Sequence, residues 1–130
     1  MLQLPGPGRW SKKEALGHLI DSAANNHGRF VLAQVVPQPL KLLAYDQDAW
    51  VRLGACQHLP SAGLLALWTS YNRLIMHLLV QIPESALASE CLTPNNNSVT
   101  LSWLIDDYVL HLEQHVRQII HEHGQTYPYA

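Results

Sequence analysis

Apolar residues recur along this chain at helical spacing, and proline and glycine separate the segments that carry them. The spacing predicts a first helix that starts at Ser11 and ends before Pro37. There Ser11-Lys12-Lys13-Glu14 reads as a capping box, in which Ser11 caps the backbone and Glu14 reaches back. Its apolar stripe is Leu16, Ile20, Ala23, His27 and Phe30, with His18, Asp21, Ser22, Asn25 and Arg29 on the opposite side. A second, shorter helix is expected from Asp46 to just before Pro60, with Asp46 and Asp48 in its first turn and Trp50 and Val51 buried. A third runs over residues 61–82 on a stripe of Leu64, Leu67, Trp68, Tyr71, Ile75, Leu78, Leu79 and Ile82, closed by Pro83. The stretch from Thr93 to Ser98 is a loop by composition. Ser98 or Thr100 then caps a last helix that reaches about residue 123, with Gly124 as its stop.

No strand alternation stands out, so the expected fold is all-α, a helical bundle forming one domain over residues 1–130. Three amphipathic helices bury their stripes only against one another. At 130 residues and 48% hydrophobic the chain holds one modest core. Its net charge of −2, with eight Lys and Arg, presents no basic face, so nucleic acid is not an expected partner. Cys56 and Cys91 lack CxxC spacing, which argues against both a disulfide framework and a thiolate zinc site. The first nine residues are too rich in Pro and Gly for a signal peptide, and no run approaches the roughly 18 apolar residues of a membrane span. A cytoplasmic protein without a membrane partner is expected.

Eight histidines are many for this length, and their spacing matters more than their number. On the last helix the core stripe is Leu101, Leu104, Ile105, Tyr108, Leu112, Val116 and Ile119. His115 falls on the inward face and His111 flanks it, so both are expected to point into the bundle. Residues four apart on a helix lie about 6 Å apart by Cβ, close enough to share one divalent ion. Two core histidines satisfied by hydrogen bonds are the competing reading. A third ligand has to come from elsewhere. The helical wheel nominates His27 and places His18 on the polar side, which either faces solvent or lines a ligand pocket. Asp107, one turn before His111, could hydrogen-bond that imidazole or simply be solvated. His58 and His77 are expected at the surface, and His121 and His123 in the last helical turn.

Two segments carry a resemblance: Trp10-Ser11-Lys12-Lys13-Glu14-Ala15-Leu16-Gly17-His18-Leu19-Ile20-Asp21, and later Trp103-Leu104-Ile105-Asp106-Asp107-Tyr108-Val109-Leu110-His111-Leu112-Glu113-Gln114-His115. In this order and separation they resemble the DinB-like superfamily of metal-dependent enzymes. The resemblance spans residue 10 to about residue 123. It implies a four-helix bundle and a divalent ion, most often nickel or zinc, held by His18, His111 and His115. It chooses His18 where the wheel does not. The superfamily's usual long helix before the Trp-Ser segment is expected to be missing or shortened here. The stripe of Leu16, Ile20, Ala23 and Phe30 would then lack cover within the chain, which predicts a homodimer.

Three protein ligands leave coordination positions open, so the resemblance implies an enzyme that activates water or a thiol toward a small-molecule substrate. Relatives include thiol S-transferases and thiol-dependent isomerases that use low-molecular-weight thiols, and hydrolases. Asp21 and Asn25 are the expected polar residues of the pocket. The alternative is a non-catalytic interaction or dimerisation module, with a structural metal closed by a fourth ligand such as His27 or Glu113, or with no metal.

Overall fold

The computed structural model describes residues 10–120, so the expectations for His121, His123 and Gly124 lie outside the described residues. Helix α1 spans Lys12–Val35, and its capping box forms as the sequence implies. Ser11 Oγ accepts from the Glu14 amide at 3.1 Å, and a Glu14 carboxylate oxygen accepts from the Ser11 amide at 2.9 Å. Helix α2, Gln47–Gly54, is capped by Asp46, which accepts from the Ala49 amide at 3.0 Å. It ends where Ala55 turns left-handed at φ 51°, and a single 3-10 turn, Cys56–His58, follows. Helix α3 runs over Ser61–Leu79 and a four-residue α4 over Glu84–Leu87. Helix α5, Leu101–Ile120, starts where Thr100 Oγ1 accepts from the Trp103 amide at 3.1 Å.

The fold is mostly helical but not all-α. Strands β1 (Leu40–Lys41), β2 (Glu90–Leu92) and β3 (Ser98–Thr100) form a small sheet in the order β1-β2-β3. β1 pairs parallel to β2, Leu40 with Cys91, and β2 pairs antiparallel to β3, Cys91 with Val99. Strands of two or three residues are too short to show period-two alternation, and the β1 to β2 pairing joins positions distant in sequence. The turn between β2 and β3 falls within the segment expected to be a loop, with Asn96 at φ 65°.

Helix α1 packs against α2, α3 and α5. The core collects Ala23, Phe30 and Ala33 of α1, Leu42, Ile75 of α3, Cys91 of β2, and Leu101, Leu104 and Tyr108 of α5. Phe30 and Tyr108 meet edge to face with ring centroids 5.6 Å apart, and the Tyr108 hydroxyl donates to Asn72 Oδ1 at 2.6 Å. The stripe of α1 is therefore covered within the chain at Ala23 and Phe30, both fully buried, while Leu16 and Ile20 stay half-buried. Other expectations need correction. Trp50 and Leu67 are exposed, because α2 turns Val51 inward instead and α3 buries only Leu64 and Ile75 fully. No helix among the described residues is long and apolar enough to cross a membrane.

Candidate metal centre

Amphipathic periodicity leaves His18 facing either solvent or a pocket, and the structure buries it: it is 4% exposed. Helix α1 is covered on both sides, so its polar side faces a cavity rather than bulk water. His115, on α5, is 1% exposed and meets His18 ring to ring, with centroids 4.8 Å apart and a steep interplanar angle of 65°. Trp10 closes the other side of His18, with centroids 4.7 Å apart. Two imidazoles from the opening and closing long helices therefore share one poorly hydrated place.

His111 stands differently. Its side chain is 52% exposed, so the expectation that it points into the bundle is corrected: one turn before His115, it sits on the rim. It flanks the core stripe of α5 and stays largely exposed. Its Nδ1 lies 3.7 Å from an Asp107 carboxylate oxygen, too far for a hydrogen bond that would fix its tautomer. All three histidines nevertheless line one cavity of about 270 Å³, with Asp107 beside His111. Among the described residues no set of three or more His, Cys, Asp and Glu side chains is drawn together in metal-holding geometry.

Burial sets the electrostatics. It is the largest cause that pushes the His18 pKa from its usual 6.5 down to about 3, with the nearby His115 and then His111 adding to it. His18 is thus neutral at physiological pH, the state in which imidazole donates a lone pair. Its Nδ1 is buried with no hydrogen-bond partner among the described residues. A buried ring nitrogen left unpaired is costly in a purely structural role. A cation that accepts its lone pair satisfies it, so His18 and His115 fit a metal ligand pair that His111 could complete from the rim.

His27 is placed elsewhere, with its Nδ1 2.9 Å from the Tyr71 hydroxyl and the two rings edge to face. That contact satisfies it and removes the wheel's nominee from the cavity. His58 and His77 are exposed, as expected. Asp21 and Asn25 do not line the cavity. The Asn25 amide donates to the Asp21 carbonyl of the preceding turn at 2.9 Å, and burial raises the Asp21 carboxyl to about 6. Ser22, Asn26 and Arg29 line it instead, four, eight and eleven positions after His18, along one ridge of the helix. Tyr45 and Gln47 close the far side, and no periodicity in their own segment marks them. The usable signal was the run of polar residues sharing the face of His18.

Comparison with known proteins agrees with this arrangement at the level of fold. The solved structure of YfiT from Bacillus subtilis, described as a probable metal-dependent hydrolase with an unusual four-helix bundle topology, matches 91% of this chain and 69% of its own, with a TM-score of 0.78 and 26% sequence identity. No curated protein matches the chain. The sequence profile of the DinB superfamily matches residues 1–119, and the chain belongs to that superfamily.

Proposed function

We propose that this protein is a metal-dependent enzyme in which His18, His111 and His115 hold one divalent ion, nickel or zinc. The observation that carries the reading is the meeting of His18 and His115, buried and 4.8 Å apart by ring centroid, in a cavity that His111 also lines. The likeness to YfiT, a probable metal-dependent hydrolase, lends support. When bound by these three imidazoles, such an ion would supply Lewis acidity that eases deprotonation of water or of a low-molecular-weight thiol.

The chain's own residues prepare that chemistry. Trp10, its ring centroid 4.7 Å from that of His18, keeps water from one face of the imidazole. Burial keeps His18 neutral and ready to donate. His111, on the exposed rim one turn before His115, would supply the third imidazole. Burial, followed by the neighbouring Tyr71 and Tyr45, pushes the Tyr108 hydroxyl up to about 12. That hydroxyl therefore stays protonated beside the cavity and serves as a hydrogen-bond group rather than as a base. The reaction class is hydrolysis or thiol transfer on a small molecule.

The test is elemental analysis of protein prepared without an affinity tag. About one equivalent of nickel or zinc is expected in the wild type, and His18→Ala or His115→Ala should lose it. Full metal content in the His18→Ala and His115→Ala double variant would refute the assignment. We further propose that the chain pairs with a second copy. The support is narrower than an uncovered stripe, since only Leu16 and Ile20 of that stripe remain half-buried.

A further inference from the structure

The cavity has a second end. Arg29 is eleven positions after His18 on α1, about 16 Å along the helix axis, and it is the lone Lys or Arg among the described residues lining the cavity. One guanidinium nitrogen donates to the Leu43 carbonyl at 2.7 Å, which fixes the plane of the group. A guanidinium has five N–H donors, so the others are left for something else. Among the described residues no carboxylate forms an ion pair with it. Between Arg29 and the histidines the wall is neutral and polar. The Asn26 amide donates to the Ser22 carbonyl at 2.8 Å and reaches the Ser22 hydroxyl at 3.3 Å, holding both side chains in place.

A guanidinium with no anionic partner among the described residues leaves its remaining donors to solvent or a ligand, and a planar carboxylate answers its fork of donors in two parallel hydrogen bonds. One permanent cation suits one negative charge. A phosphate dianion would call for more cations than this wall supplies. The described residues lining the cavity include one carboxylate, Asp107, which stands one turn before His111 at the histidine end.

We propose that Arg29 is the anchor for a monoanionic carboxylate on the substrate, so that the protein acts on elongated small carboxylic acids whose reacting end lies at His18 and His115 and whose acid group lies at Arg29. This rests on the reading of the cavity as a substrate site. Ser22 and Asn26 then hydrogen-bond the middle of the molecule, and Tyr45 and Gln47 cover it. Arg29 acts in binding, not in the bond-making step.

Hexanoate and its uncharged counterpart hexanamide isolate the charge at nearly constant shape. The full chain, labelled with nitrogen-15, is titrated with each while the amide and Arg29 Nε–H resonances are followed. Hexanoate is expected to bind at least tenfold more tightly than hexanamide and to shift the Arg29 resonance. In Arg29→Gln the two probes should bind within twofold of each other, while Arg29→Lys should keep part of the preference. Equal binding of the two probes to the wild type overturns the inference, whatever the variants do, and so does a preference that survives in Arg29→Gln. Metal content measured on the same samples separates the two readings. A full complement of metal with no carboxylate preference overturns the anchor alone, whereas a carboxylate preference without metal supports the anchor and counts against the metal centre alone.

Discussion

Lowering the pH should destabilise the metal-free protein through His18, and replacing His18 with leucine should remove that response. The folded-state pKa of His18 is about 3 and its ordinary value is 6.5. Above 6.5 the imidazole is neutral in both folded and unfolded chains. Between 6.5 and 3 the unfolded chain takes up a proton that the folded chain refuses, so stability is lost as pH falls through that window. Each pH unit there is worth about 1.4 kcal/mol, so going from pH 6.5 to 4.5 removes on the order of 3 kcal/mol. Asp21 works the other way. Its carboxyl is raised from 3.8 to about 6, so between those values the folded chain takes up the proton first and gains stability as pH falls. Asp21 is only partly buried, and screening by solvent brings its share to about 1 kcal/mol over the same interval. Urea denaturation of the chelator-treated protein at pH 6.5, 5.5 and 4.5 measures the sum. The wild type should lose about 3 kcal/mol more than His18→Leu over this range, roughly a hundredfold in the folding constant. Parallel curves for the two proteins would refute the claim that a neutral, buried His18 governs acid sensitivity.

Gly17 sits one residue before that histidine where α1 touches the 3-10 turn, and a Cβ built there would lie 2.9 Å from Cys56 Sγ and 3.2 Å from its Cβ. Gly17→Ala should therefore cost about 1–2 kcal/mol by overpacking despite alanine's better helix propensity, and in a Cys56→Ala background most of that cost should vanish, as read by urea midpoints. A stabilising Gly17→Ala in the wild-type background would show that the contact yields. For the proposed pairing of two copies, light scattering should return twice 14.6 kDa, and a mass of one chain at working concentration would remove that proposal.

The local signals in this sequence were strong where one residue acts on its neighbours. Ser11 with Glu14, Asp46 and Thr100 each cap the helix they precede, because a capping oxygen needs only the next turn of its own backbone. The inward position of His115 likewise follows from its register with Tyr108 and Ile119 on one helix. The superfamily to which the chain belongs was legible too, in the two segments that hold His18 and the His111 and His115 pair.

What the sequence left open depended on groups far apart along the chain. Whether the polar side of α1 meets solvent or a cavity is decided by α5 and the segment around Tyr45, which periodicity within α1 does not contain. The same holds for the sheet, since Leu40 pairs with Cys91 far along the chain and neither strand is long enough to announce itself. His111 on the rim and His27 satisfied by Tyr71 also follow from how helices close on one another. Helix boundaries and faces are set by interactions a few residues long and were written locally. Which face is wet, and which polar groups converge, is a property of packing, because burial is conferred on a residue by the rest of the fold.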